Sequence, residues 1–245
     1  MPQDMLYPPL DTPKPVADGL WVVDSGPQKV LGLALPIRMT VLRLGDGTLW
    51  LHSPVRHTPA LQKALCALGP VRHLVAPGTA HWAHLSPWRK AVPAAIVWTA
   101  PGVLDRARGQ GVDFGPRPRV LEASPPPSWE AEMEHEVLAG PGFTEVAFFH
   151  RPSRSLILTD TVQALEKPRL GLATRLVAGL VGSATEGGTT PAHLRLVLGR
   201  RRAENRDAAA RLLAMRPERV IFAHGAWFES DGTARLRQAL GWLVE

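Results

Sequence analysis

Short apolar segments separated by turn residues are the sequence feature that most constrains the fold. Residues 21–24 and 38–44 alternate apolar with polar side chains, and Leu49–His52 follows them after the turn signal Asp46-Gly47. Such alternation is typical of β-strands that bury one face, and a close succession of these strands predicts an antiparallel meander. The chain therefore opens with a β-sheet.

Helical segments alternate with strands farther along the chain. Thr58 and Pro59 have the residue types of a helix N-cap and first helical position, and they predict a helix that ends at Gly69. Further strands are predicted at 71–76, 95–98, 145–150, 155–160 and 219–223, and further helices at 191–215 and 233–243. We predict an α/β protein with one domain over residues 1–245.

Composition and charge restrict the classes of function. Of the 245 residues 45% are hydrophobic, which is enough for a sizeable core, and the lone cysteine, Cys66, excludes an intramolecular disulfide. We expect Cys66 to be buried as a small apolar residue. The N-terminus has no pattern of a secretory leader, and no apolar run reaches the ~18 residues of a membrane span. These observations predict a cytoplasmic protein without a membrane partner.

The net charge of +6 comes mainly from arginine, and the densest run is Arg200-Arg201-Arg202. Glu204 and Asp207 lie at helical spacing from this run, which favours a solvated helix face with local ion pairs. No aromatic residues alternate with the arginines, although a single-strand stacking platform would need them. Nucleic acid is therefore not an expected partner.

Polar residues at the ends of apolar strands are the candidates for chemistry, because loops held by a rigid sheet collect functional side chains. His81 and His84 follow the strand at 71–76, Asp160 closes the strand at 155–160, and His224 follows the strand at 219–223. Three imidazoles and a carboxylate could bind zinc or iron. Each residue also has a structural interpretation, as a helix cap or a turn residue.

The remaining histidines are weaker candidates. His52 also stands at a strand end, whereas His150 faces the predicted hairpin turn and is expected to point away from a shared site. Four others have no strand-end position and are predicted at the surface: His57, His73, His135 and His193.

The order of these features resembles the metallo-β-lactamase-like superfamily, and more narrowly an uncharacterised domain-of-unknown-function family within it. The resembling segments are residues 38–41, 49–54, 68–71, 73–77, 148–156, 159–160 and 223–225. The resemblance extends from about Trp21 to Leu243. It implies a four-layer αββα sandwich, in which two facing sheets are covered by helices, with a metal site at one edge.

The metal motifs of that superfamily are only partly present here. Its HxHxDH motif corresponds to residues 77–82, where His81 takes the carboxylate position and Trp82 the last histidine position. Phe143 stands in place of the histidine of a later Pro-Gly-His-Thr motif. By this resemblance Asp160 matches the bridging carboxylate and His224 the final histidine, which identifies both as candidate catalytic residues. The metal motif is thus degenerate.

Two functions remain open on this basis. The chain could be a divergent hydrolase-like enzyme that acts on an unknown small-molecule ligand with at most one zinc or iron ion, held by His81, Asp160 and His224 with His84 nearby. It could equally be a metal-free binding or structural module that has lost the ancestral site, which Trp82 and Phe143 would then help to fill. A standard dinuclear zinc site is not expected, because aromatic residues occupy two ligand positions.

Overall fold

Two β-sheets form the centre of the protein. The computed structural model describes residues 6–30, 33–122, 124–170 and 187–245. The first sheet has the order β1-β2-β3-β4-β5-β6-β7. Its strands are β1 (Lys14–Ala17), β2 (Leu20–Val30), β3 (Leu33–Arg43), β4 (Leu49–His52), β5 (Val71–Ala76), β6 (Ile96–Thr99) and β7 (Arg119–Val120). Strands β1 to β4 are antiparallel, as the predicted meander requires, and β4 to β7 are parallel.

The second sheet comes from the other half of the chain and has the order β11-β10-β9-β8. Its strands are β8 (Met133–Gly140), β9 (Phe143–His150), β10 (Ser155–Ile157) and β11 (Arg219–Ile221). The hairpin predicted on either side of residues 151–154 is present as the antiparallel pair β9–β10, whereas β10 and β11 are parallel. Each half of the chain therefore supplies one sheet.

Helices cover the outer face of each sheet. They are α1 (Pro59–Cys66), α2 (Leu85–Ala91), α3 (Val103–Gly109), α4 (Ala192–Gly199), α5 (Arg202–Ala214) and α6 (Gly232–Val244). Apolar residues of α1 to α3 belong to one buried cluster with the first sheet, and those of α4 to α6 belong to a second cluster with the second sheet. The four-layer αββα sandwich is therefore confirmed.

Alternation along β9 shows how the second sheet separates two apolar layers. Val146 and Phe148 belong to the core between the sheets, whereas Ala147 and Phe149 pack towards the helices. The ring centroids of Phe148 and Trp50 are 5.0 Å apart, so the two sheets are in direct contact. Period-two alternation thus lets one strand serve both layers.

The prediction of one continuous helix at 191–215 is wrong, because two helices occupy this stretch. In a continuous helix the carbonyl of Leu198 would accept the N–H of residue 202. It instead accepts Nδ2 of Asn205 at 2.8 Å and the N–H of Arg201 at 3.0 Å. The helix is therefore interrupted at Arg200 and Arg201. The apolar segment that the sequence shows at 171–181 lies outside the described residues.

Several burial predictions were also wrong. Cys66 is exposed, because α1 turns Leu61 and Leu65 towards the core and leaves the next position facing outward. His73 and His135, predicted at the surface, are buried because they lie on the inner faces of β5 and β8. His150 is buried as well and contacts Ser153, so it does not point away at a hairpin tip.

No helix in the described ranges combines the length and apolar character needed to cross a membrane.

Candidate functional site

Three loops bring His81, Asp160 and His224 together at one edge of the sandwich. Nε2 of His81 lies 3.2 Å from Oδ2 of Asp160, and Nε2 of His224 lies 3.2 Å from Oδ1 of the same carboxylate. One ligand atom from each residue lies within 4.8 Å of the others. The three side chains are only 8%, 13% and 6% exposed, respectively. The predicted convergence of these residues is confirmed.

Each imidazole is oriented by a hydrogen bond on its other nitrogen. Nδ1 of His81 lies 2.8 Å from the hydroxyl oxygen of Ser53, at the end of β4. Nδ1 of His224 lies 2.8 Å from the carbonyl oxygen of Pro36, on β3. A carbonyl only accepts, so Nδ1 of His224 carries the proton and donates it to Pro36. Both rings therefore present Nε2 to Asp160.

The electrostatics of the site favour an ionised Asp160. Burial by itself would raise the pKa of this carboxyl group, but attraction to His81 and hydrogen bonds from His224 and His81 hold the pKa far below its usual range. Burial would correspondingly lower the pKa of His81, but Asp160 and the nearby carboxylate of Glu145 raise it above the ordinary value. Gln163 adds a hydrogen bond of 3.3 Å to Oδ1 of Asp160.

Glu145 is a buried acidic residue next to this site that the sequence analysis missed as a functional candidate. Its side chain accepts hydrogen bonds from the backbone N–H groups of Thr159, Asp160 and Thr161, and from the hydroxyl of Thr161. Burial and the charge of Asp160 raise the pKa of Glu145 above its ordinary value, although these hydrogen bonds act in the opposite direction. The sequence signal was available, since this acidic residue alternates with the apolar residues Phe143 and Ala147 along strand β9.

Arg38 supports the loop that carries His224, and it was also missed. Its Nη1 donates to the carbonyl oxygens of Phe222 at 2.7 Å and Gly225 at 2.9 Å, on either side of His224. Its Nη2 lies 2.7 Å from Oδ1 of Asp24, and Lys14 also pairs with this aspartate. A buried arginine whose charge is balanced by Asp24 thus fixes the loop of His224 through two of its backbone carbonyl groups.

The structure does not bring His84 into the group of converging ligand atoms within the described residues. His84 is the N-cap residue of α2 but makes no side-chain capping bond, and its pKa is lowered first by burial and then by Arg56. Trp82 is buried and donates its indole N–H to the carbonyl of Thr79 at 3.0 Å. Phe143 packs in the apolar layer beside the helices of the second sheet. Within the part of the chain that the structure describes, the potential ligand set therefore consists of His81, Asp160 and His224.

Comparisons with known proteins agree with this architecture. The family model described as "Domain of unknown function (DUF4336)" matches residues 17–192, and a search of curated proteins found no match. A metallo-β-lactamase from Pontibacter korlensis is similar in structure, with a TM-score of 0.61 at 15% identity over 97% of this chain and 98% of that one. FIM-1 from Pseudomonas aeruginosa, solved in its mono-zinc form, has a TM-score of 0.62 at 11% identity over 95% and 94%.

A metallo-β-lactamase from Hirschia baltica is also similar, with a TM-score of 0.59 at 14% identity, over 94% of this chain and 96% of that one. Identities this low show the shared fold and nothing about activity. The family match covers more than half of the sequence and agrees with the resemblance of the segments along the chain. The chain belongs to the DUF4336 family of domains of unknown function and has a metallo-β-lactamase-like fold.

Proposed function

We propose that this protein binds a single divalent transition metal ion at His81, Asp160 and His224 and hydrolyses a small-molecule substrate. The observation that carries the proposal is the pair of buried imidazoles, each oriented by an outer hydrogen bond so that Nε2 points at one carboxylate. Protein metal sites are commonly built in this way, with the outer partner fixing the tautomer and direction of the ring.

The donor set fits zinc or iron. Two imidazole nitrogens and one carboxylate oxygen suit both metals, and a three-residue set leaves positions for water and substrate. Ligands about 2.0–2.2 Å from a common ion lie roughly 3.3–3.6 Å apart in tetrahedral geometry. The two contacts of 3.2 Å are just below that range. Only small movements would be needed to bring the remaining pair of ligand atoms, within 4.8 Å, around one ion.

The hydrogen bond between His224 and Pro36 gives a chemical reason why a cation should bind at this site. Because Nδ1 of His224 donates to the Pro36 carbonyl, Nε2 of a neutral ring has only its lone pair to offer. In the neutral ring that lone pair would face Oδ1 of Asp160 at 3.2 Å, and a carboxylate oxygen is also an acceptor. Two acceptors at this distance repel unless a proton or a metal ion lies between them. A metal ion satisfies both atoms and also His81.

A metal ion bound there would lower the pKa of a coordinated water and polarise the substrate oxygen. The protein's own residues provide the surroundings for that chemistry. Ser53 and Pro36 orient the two rings, Gln163 holds one oxygen of Asp160, and the low exposure of all three ligands limits access of bulk water.

The alternative is a metal-free binding module, and one observation favours it. Asp160 already contacts both imidazoles directly, so a protonated His224 could form an ion pair with it and complete the site without a metal. In that case the three residues would keep their arrangement, but the site would lose hydrolytic chemistry.

Metal content distinguishes the two functions. Protein purified without chelator should contain about one equivalent of zinc, iron or manganese per chain, and metal addition should support hydrolysis of generic ester, lactam or phosphodiester substrates. Asp160→Ala should lose both metal and activity, by more than the ~10–100-fold that a changed outer hydrogen-bond partner costs. His193→Ala, at an exposed histidine of α4, is the matched control. Wild-type protein that takes up no metal would favour the binding module, and two equivalents would contradict a mononuclear site.

A further inference from the structure

We infer that Glu145 is a positioning residue of the metal site, one that sets the direction of the Asp160 carboxylate. This inference rests on the proposed function and names a residue that acts through Asp160 and does not itself bind the metal.

The first support is the way the Glu145 side chain organises the turn at residues 159–161. Oε1 accepts the N–H of Thr159, while Oε2 accepts the N–H of Asp160 at 3.0 Å, the N–H of Thr161 at 2.8 Å and the Thr161 hydroxyl at 2.8 Å. Successive backbone N–H groups that converge in a turn form an anion-binding nest. Here the anion is supplied by the chain itself, and the turn it orders carries Asp160.

The second support is that strand β9 at Glu145 also anchors the loop of His81. Gly78 forms a β-bridge with Glu145, Thr79 donates its N–H to the Thr144 carbonyl at 3.0 Å, and Val146 donates its N–H to the Pro77 carbonyl at 2.7 Å. A Cβ atom on Gly78 would lie 2.8 Å from that Thr144 oxygen, so only glycine permits the approach. Loops that carry two of the three proposed ligands therefore meet at one residue.

The four groups that face the Glu145 side chain are all hydrogen-bond donors. A carboxylate offers about four lone-pair sites and no donor, which matches three N–H groups and one hydroxyl. Glutamine would turn an NH₂ group towards donors and leave some of them unpaired in a fully buried place. Unpaired buried donors cost more than the net value of the hydrogen bonds they replace.

The test compares metal binding by wild-type protein with binding by Glu145→Gln and Thr161→Val. Affinities for Co²⁺ and Zn²⁺ are measured by competition with a chromophoric chelator, and the visible absorption of bound Co²⁺ reports the coordination geometry. Glu145→Gln should weaken binding ~10–100-fold and alter the Co²⁺ spectrum. Thr161→Val, which removes only the hydroxyl donor, should weaken binding less. Glu136→Gln, on the adjacent strand β8, changes a carboxylate that pairs with Arg211 of helix α5, and this variant should bind as wild type does.

The outcomes separate the two proposals. Wild-type protein that binds neither ion would contradict the proposed function, and the role of Glu145 with it. Wild-type binding that Glu145→Gln leaves unchanged, with the same Co²⁺ spectrum, would overturn only the role of Glu145. If Glu145→Gln does not fold, Thr161→Val decides the matter, and unchanged affinity and spectrum in that variant would overturn the inference.

Discussion

Single hydrogen bonds determine what the two site imidazoles can do. The hydroxyl of Ser53 can donate to or accept from Nδ1 of His81, whereas the Pro36 carbonyl forces one tautomer on His224. A backbone carbonyl therefore orients the ring of His224. A substitution at residue 36 would remove this hydrogen bond only if it moved the backbone. The ring of His81 depends on a side chain and is open to test.

Ser53→Ala should weaken metal binding by about tenfold and leave folding intact, because it removes the only outer partner found for Nδ1 of His81 among the described residues. Chelator competition measures the affinity, and thermal unfolding of the metal-free protein checks the fold. The matched control is Ser86→Ala, whose hydroxyl donates to the Asp113 carbonyl at an exposed position of α2. Equal affinities in the two variants would show that Ser53 does not orient His81.

At the scale of elements, the second sheet and its helices approach each other closely at β8. Asn205 of α5 donates to the carbonyl of Ala139 at 2.8 Å and accepts its N–H at 2.9 Å. The same side chain holds the Leu198 carbonyl, where α4 ends. One buried asparagine thus ties two helices to a strand edge, and this explains why the helical segment is interrupted there.

Gly140→Ala should destabilise the protein by about 1–3 kcal/mol or more, because a Cβ atom there would lie 2.2 Å from the backbone oxygen of Val197. Gly199→Ala is the matched change, since nothing lies within 4 Å of a Cβ atom at this last residue of α4. Alanine there should be neutral or stabilise by up to about 1 kcal/mol. Urea unfolding at pH 7 measures both. A Gly140→Ala variant as stable as Gly199→Ala would refute the close approach.

Across the whole molecule, imidazole and aromatic rings fill the space between the two sheets. The rings of His52 and His135 both lie edge-on to Phe148, with centroids 5.7 Å and 5.6 Å away, and Trp129 contacts His73. Burial lowers the pKa of His73 and of His150 to about 4. These histidines are therefore neutral parts of the core at physiological pH.

Buried neutral histidines should make the fold sensitive to acid. An unfolded histidine titrates near 6.5, so between about pH 6.5 and 4 the unfolded state binds more protons at His73 and His150 than the folded state. Their contribution is fully present above pH 6.5 and is lost as the pH falls towards 4. The loss should reach at most about 1.4 kcal/mol per pH unit for each residue.

The measurement is the free energy of unfolding from pH 7 to pH 4. His150→Asn should show a shallower decline over this interval than wild type, even where its stability at pH 7 is lower, because it removes one titrating group. His193→Asn, at an exposed position, should decline with the wild-type slope. Parallel curves for wild type and His150→Asn would mean that His150 is protonated equally easily in both states.

The alternating strands, the helix cap at Thr58 and the strand-end positions of His81, Asp160 and His224 could all be predicted from the sequence. These features depend on neighbouring residues, because side-chain alternation, N-cap bonding and the end of an apolar run are local properties. The Thr58 hydroxyl does accept the N–H of Leu61 at 3.1 Å, as the local pattern predicts. The resemblance of segments along the chain then supplied the αββα arrangement.

Tertiary structure alone decided which polar residues share the interior. The sequence pattern around Glu145 is that of a half-buried strand residue. Its hydrogen bonds are to a turn that begins 14 residues later, at Thr159. Arg38 meets the His224 loop across 184 residues of sequence. His73 and His135 became core residues because opposite sheets face each other there. Long-range packing sets burial and therefore charge state, and no local pattern contains that information.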